Sequence, residues 1–342
     1  METLASNVWT VEDYVAGVLA GDRAILSRAI TLLESQSPLH ERKAQEVLQR
    51  LLPHSGKARR IGITGVPGVG KSTFIEAFGC YLIKQGHALA VLTIDPTSRR
   101  SGGSILGDKT RMENLSREER AFIRPSPAGD SMGGVARRTR ETMLLCEAAG
   151  FDLLLVESVG VGQSEVALRS MVDYFLLLLL PGAGDELQGI KRGIIEMADD
   201  ILVNKADGEN RTRAEQARLD QQASLACLLP ATPGWKTEAR LCSALTGEGI
   251  PEVWLRIEQF YAAMDPKGVI AKRRQQQAAD WLDDLIHDGL QRRFDRSQRV
   301  RARFPGLREA VLRGETTAVA AAAELLAAFD RNQENTDYDH KN

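Results

Sequence analysis

The sequence predicts an α/β fold: a mostly parallel, doubly wound sheet flanked by a helical segment at its N-terminal side and a helical arm at its C-terminal side. Three observations carry this. Short apolar runs at Ile61–Thr64, Ala88–Ile94, Leu153–Val156, Phe175–Leu180, Ile201–Val203 and, more weakly, Arg240–Ser243 alternate with stretches of helix length. Unbroken apolar strands separated by helices indicate a parallel sheet covered on both faces. The first run leads directly into a glycine-rich turn, and both ends of the chain show the three-and-four spacing of amphipathic helices.

The helical start is read from Val15, Val18 and Leu19, then Ile25, Leu26, Ala29, Ile30 and Leu33, then Val47, Leu48, Leu51 and Leu52. Asp22 after Gly21 is placed to cap the second of these helices, and Pro53-His54-Ser55-Gly56 to stop the third. The strand-rich part begins at residue 57 and ends near residue 264. Beyond it Ala278, Trp281, Leu282, Leu285, Ile286, Leu290 and Phe294 form one apolar stripe, which either packs on the chain's own sheet domain or meets a second copy. A second helix is expected over Thr317 to Phe329. The expected units are therefore a helical segment 1–56, a sheet domain 57–264, an arm 265–331 and a polar, disordered tail 332–342.

Composition narrows the function. The 342 residues carry 44 Lys plus Arg against 46 Asp plus Glu, a formal charge of −2, so neutralising nucleic-acid phosphates is not the main task. With 43% hydrophobic and 26% charged residues the chain is an ordinary globular one, neither disordered nor collagen-like. Cys80, Cys146, Cys227 and Cys242 form no CxxC pair and the histidines are scattered, so neither a zinc site nor a disulfide framework is expected. The segment Met1-Glu2-Thr3-Leu4 does not read as a signal peptide, and the longest apolar run, Phe175 to Leu180, is far short of the ~20 residues of a membrane span. A cytoplasmic protein with reduced thiols is the expectation.

Chemistry in such a sheet belongs at the carboxyl ends of its strands. Gly65-Val66-Pro67-Gly68-Val69-Gly70-Lys71-Ser72 matches G-x-x-x-x-G-K-[ST] between a strand and a helix starting near Thr73. Backbone N–H groups of such a loop wrap phosphates, Lys71 reaches the β and γ oxygens, Ser72 ligates Mg²⁺ and the helix N-terminus adds its dipole. Asn204-Lys205-Ala206-Asp207 follows another strand and selects the base. A carboxylate at Asp207 accepts from guanine N1–H and the 2-amino group together, whereas adenine offers neither donor. Ser243-Ala244-Leu245, after the last strand, brings a backbone N–H for guanine O6. The expected ligand is GTP or GDP with Mg²⁺.

Two acids stand at strand ends beside the loop: Asp95 in Ile94-Asp95-Pro96-Thr97-Ser98, and Glu157 in Val156-Glu157-Ser158-Val159-Gly160. Either could hold Mg²⁺ directly or through its waters, or be a solvated strand terminus. Gly160 is placed for its N–H to sense a γ-phosphate. Arg100 to Lys109 is rich in glycine and serine without periodicity, as a switch or a plain surface loop would be.

These motifs, with Gly103-Ser104-Ile105-Leu106-Gly107-Asp108-Lys109-Thr110-Arg111-Met112 and Gly162-Gln163-Ser164-Glu165, together resemble the MeaB/ArgK family of P-loop GTPases over roughly Val11 to Phe329. The resemblance implies a G-protein chaperone of adenosylcobalamin-dependent methylmalonyl-CoA mutase whose C-terminal arm makes a homodimer. It implies further that Asp95, Asp108 and Glu157 are metal and switch acids, with Ser72 also on the metal. Lys191, in Gln188-Gly189-Ile190-Lys191, falls by resemblance in an additional switch loop that senses the partner. Three other readings remain at this stage: a kinase acting on a periplasmic arginine/ornithine transport binding protein; a metal-delivery GTPase, which should carry His-rich or paired-Cys tracts that this chain lacks; and a pure binding scaffold with a degenerate site, which measurable turnover would eliminate.

Overall fold

A computed structural model of the chain describes residues 9–35, 37–94, 112–125, 132–158, 164–182 and 192–339. The chain opens with helices α1 (Val11–Leu19), α2 (Arg23–Glu34) and α3 (Pro38–Leu51). Thr10 and Asp13 form a reciprocal capping box at α1, and Asp22 caps α2 by accepting from Ala24 and Ile25, as its place in the sequence predicts. A short 3₁₀ turn, Leu52–His54, ends α3 at the proline expected to stop it.

The sheet domain follows with β1 (Arg59–Gly65), α4 (Lys71–Lys84), β2 (Leu89–Ile94), α5 (Glu113–Arg117), β3 (Ala121–Arg124), α6 (Met132–Ala148), β4 (Leu153–Ser158) and α7 (Ser164–Arg169). It continues with β5 (Tyr174–Leu179), α8 (Arg192–Met197), β6 (Asp200–Val203), α9 (Arg211–Leu225), β7 (Ala239–Leu241) and α10 (Ile250–Met264). The strand order is β3-β2-β4-β1-β5-β6-β7 and every described pairing is parallel. Each strand expected from the sequence is present, and β3 is an addition to them. Its apolar content is only Ala121-Phe122-Ile123, set between charged residues, and it lies at the sheet edge with β2 as its one partner. The Arg23 guanidinium donates to Ala121 O at 2.6 Å, tying α2 to that edge.

Alternation along the strands splits the core into two layers. Ile61 and Ile63 of β1 face Phe74 and Phe78 of α4, Leu115 of α5, and Trp254 and Phe260 of α10. On the other face, α2, α3 and α6 bring Leu26, Ile30, Leu51, Met143 and Leu145 over β2, β4 and β5. Gly62 leaves room for α7 on that face, where an added Cβ would lie 2.9 Å from Val172 and 3.0 Å from Leu168. At the amino ends of the strands lie buried ion pairs. Asp173 accepts from Nη2 and Nε of Arg274 at 2.6 and 2.8 Å and from the Tyr261 hydroxyl at 2.9 Å.

By internal contacts the chain divides into Met1–Arg274 and Gln275–Asn342. Helix α11 (Val269–Arg296) begins in the first unit and continues into the second, which also holds α12 (Gln298–Leu312) and α13 (Ala318–Asp339). Within the second unit Phe294 and Phe329 approach to 5.6 Å between ring centres, while Leu282, Ile286 and Leu290 of the predicted stripe are exposed. The α13 helix extends into the segment expected to be a polar tail from residue 332. None of the described helices is long and apolar enough to cross a membrane.

Candidate nucleotide site

The glycine-rich turn sits at the carboxyl end of β1, flanked by β4 and β5. Two of its glycines are required by geometry. Gly65 has φ 152°, and a Cβ there would lie 2.5 Å from the carbonyl of Leu178 on β5. Gly70, the residue before α4, has φ 93°, a left-handed conformation, and a Cβ would lie 2.9 Å from Asn204 Nδ2. Val69 is buried beneath the loop, and α4 starts at Lys71, so its first N–H groups open toward the turn.

Lys71 is buried, its ammonium donating to Gly65 O at 2.8 Å and Val66 O at 3.3 Å. Burial lowers its pKa, while the charges of Glu157 and Glu165 raise it. Ser72 Oγ donates to Glu157 Oε1 at 3.4 Å. A hydroxyl and a carboxylate at that spacing are hard oxygen donors that fit one octahedral Mg²⁺, whose adjacent ligands lie about 3 Å apart. Glu157 lies on β4, the fourth strand in chain order because β3 precedes it, and pairs in register with Ile63 of β1.

The residues expected to recognise the base meet the loop from the ends of β6 and β7. Asn204, buried at the end of β6, donates from Nδ2 to Val69 O at 2.9 Å and accepts from Ala244 N at 3.1 Å. Lys205 adopts φ 59°, the one described non-glycine residue with positive φ, and its ammonium donates to Gly68 O at 2.9 Å. Such a conformation costs about 1 to 3 kcal/mol unless surroundings hold it. Here the Asn204 and Lys205 bonds to the P-loop do so. The Asp207 carboxylate accepts from the Ser243 hydroxyl, which itself accepts from Thr246 N at 3.1 Å. Leu245 is exposed beside them.

The structure therefore brings together Gly65 to Thr73, Glu157, Asn204, Lys205, Asp207, Ser243, Ala244 and Leu245 at one end of the sheet. Asp95, Asp108, Gly160 and Lys191 lie outside the described residues. Sequence reasoning missed the buried 2.7 Å bond between Thr64 and Ser158, which joins the last turns of β1 and β4 directly behind the loop. Its only signal was a hydroxyl residue near the carboxyl end of each of the two strands.

A family model described as methylmalonyl-CoA mutase-associated GTPase MeaB matches residues 26–299. The GTPase ArgK of Escherichia coli is 47% identical over 81% of this chain and 83% of its own length. The mouse protein named methylmalonic aciduria type A homolog, mitochondrial, is 44% identical over 93% of this chain and 79% of its own. Among solved structures, that of the LAO/AO transport system kinase superposes with a TM-score of 0.77 at 36% identity, covering 94% of this chain and 98% of that one. The chain belongs to the MeaB family: it is a P-loop GTPase that binds guanine nucleotide and hydrolyses GTP.

Proposed function

We propose that this MeaB-family GTPase couples Mg²⁺-dependent GTP binding and hydrolysis to the assembly, cofactor loading or protection of an adenosylcobalamin-dependent methylmalonyl-CoA mutase in the cytoplasm. The family match, whose description names the mutase, carries the partner. In this reading the backbone of Gly65 to Thr73 wraps the phosphates and Lys71 moves from its two carbonyl partners to the β and γ oxygens. Asn204, Lys205, Asp207 and the Ser243-Ala244-Leu245 segment hold guanine. Ser72 and Glu157, with Asp95 and Asp108, would hold Mg²⁺, which supplies charge neutralisation on the phosphate oxygens when bound. Gly160 and Lys191 complete the reading as the γ-phosphate sensor and the partner-facing lysine.

Phosphoryl transfer goes to water by positioning and charge neutralisation rather than through a covalent enzyme intermediate. The arm is proposed to make a homodimer, which the exposed Leu282, Ile286 and Leu290 at four-residue spacing support, since such a face is stabilised by covering it. Light scattering of the full-length protein should give a dimer, and Leu282→Glu with Leu290→Glu a monomer that still binds GTP.

The second reading, a kinase of a transport binding protein, is favoured by the likeness to the solved LAO/AO transport system kinase. One experiment separates the two. Single-turnover hydrolysis of γ-labelled GTP with and without the mutase should release label as free phosphate, faster with the mutase. Label on protein would support the kinase, and a rate indifferent to the mutase would overturn the chaperone role.

A further inference from the structure

Two polar side chains at the start of α7 have no part in the site as described. Ser164 is fully buried and Glu165 is 1% exposed, and among the described residues neither Ser164 Oγ nor Glu165 Oε2 has a hydrogen-bond partner. A carboxylate withdrawn from water without a partner is strongly disfavoured, and when a fold retains one the group commonly serves a charge in the site it faces. Helix α7 follows β4, which carries Glu157, and its Leu168 packs on Gly62 of β1, the strand that delivers the P-loop. Because α7 runs back antiparallel to the strands it connects, Glu165, one helical turn before Leu168, lies toward the carboxyl end of β1, where the turn begins. Its charge and that of Glu157 favour the charged form of Lys71, against the burial that lowers the lysine's pKa. Glu157 bonds Ser72 and is proposed above as a metal ligand; Glu165 has neither role.

We propose that Glu165 is a positioning residue for the nucleotide: its buried carboxylate is the standing counter-charge of Lys71 before nucleotide binds, and it loosens the grip on GTP and GDP once Lys71 turns to the phosphates. This rests on the assignment of Lys71 and the P-loop to the polyphosphate. The sign follows from charge alone. With nucleotide bound, the fixed negative charge competes for the lysine and repels the phosphates, and its burial keeps solvent from screening either effect. Nucleotide exchange is thereby hastened from inside the fold.

The test is the release rate and affinity of fluorescent GDP and a fluorescent non-hydrolysable GTP analogue in the full-length protein and its variants. Glu165→Gln and the similarly sized Glu165→Met remove the charge, and Glu165→Asp keeps it. Both neutral variants should release nucleotide about tenfold more slowly and bind it correspondingly tighter, while Glu165→Asp stays near the wild-type rate. A packing defect would speed release, so slower release is a gain that a merely structural role does not give. Release unchanged or faster in the neutral variants would overturn the proposal, as would failure of both to fold while Glu165→Asp folds. Absence of saturable guanine nucleotide binding in the wild-type protein would overturn the site assignment as well.

Discussion

The Nδ2 of Asn204 donates to the carbonyl of Val69 at 2.9 Å, joining the end of β6 to the P-loop across 135 residues of chain. Its Oδ1 accepts from Ala244 N, so one buried side chain ties the phosphate loop, the base-recognition segment and the turn after β7 together. Asn204→Ala leaves Val69 O and Ala244 N unpaired inside the protein. The expected loss is about 1 to 3 kcal/mol of folding stability, with weakened GTP binding beside it. Urea unfolding and GTP titration measure the two effects; a variant with wild-type midpoint and affinity would show that the tie carries no energy.

Guanine selectivity is expected to rest on Asp207, whose carboxylate the Ser243 hydroxyl holds in place. Asp207→Asn leaves the guanine donors facing an amide and should cost about 2 to 3 kcal/mol of GTP affinity. The same variant should gain affinity for xanthosine triphosphate, whose 2-oxo group accepts from an amide donor. Competition between GTP, ATP and XTP decides this, and equal binding of ATP and GTP by the wild-type protein would refute it.

Much of this site was legible because phosphate and guanine recognition depend on short contiguous segments with fixed residue types. Lys71, Ser72, Asn204 and Asp207 are each marked as candidates by their chemistry and by a place just beyond a strand, and the fold brings them to one end of the sheet. The sheet was legible for the same reason: β1, β2, β4, β5 and β6 are buried on both faces and read as unbroken apolar runs. β3 is a short edge strand with only Ala121-Phe122-Ile123 between charged residues, too brief an apolar run to mark a strand. The Thr64–Ser158 bond, the left-handed Lys205 and the buried Glu165, whose Oε2 has no hydrogen-bond partner among the described residues, are likewise products of tertiary packing, invisible to spacing.

Lys71→Ala should abolish turnover. Lys71 is the only lysine or arginine within the loop sequence Gly65 to Ser72, and its ammonium is already held at that loop by Gly65 O and Val66 O. Measured GTP hydrolysis within tenfold of wild type would contradict the assignment of its charge to the phosphates.

Arg274 is expected to matter for stability alone. Its guanidinium reaches both Asp173 oxygens, Ala58 O at 2.6 Å and Gly56 O at 2.5 Å, at the end of the sheet opposite the P-loop. Asp173 is completely buried, so Arg274→Ala strands a negative charge away from water and should cost about 3 to 5 kcal/mol. Arg274→Lys cannot reproduce the planar fork and should recover only part of this. Thermal unfolding of the two variants gives the comparison, and a change below about 1 kcal/mol in Arg274→Ala would mean the ion pair is dispensable.

The four cysteines should separate by environment. Cys227 is exposed and Cys80 half-buried, whereas Cys146 and Cys242 are buried. Burial pushes the Cys242 thiol up to about 12 and raises Cys146 as well. The thiolate is the reactive form, so at pH 8 a maleimide should label Cys227 first, Cys80 slowly, and the other two only after unfolding. The same shift sets an alkaline limit on stability. An unfolded Cys242 thiol loses its proton near its ordinary value of 9.0, while the folded one keeps it to about 12. Between those values the unfolded chain binds fewer protons, so unfolding becomes easier as pH rises; below that window the contribution is intact. Cys242→Ala should flatten part of this alkaline decline. It also removes the thiol that donates to Asn204 Oδ1 at 3.5 Å, so GTP affinity near neutral pH should be followed with it. Rapid labelling of Cys242 in the folded protein at pH 8 would show that the base-recognition turn opens far more readily than its buried bonds imply.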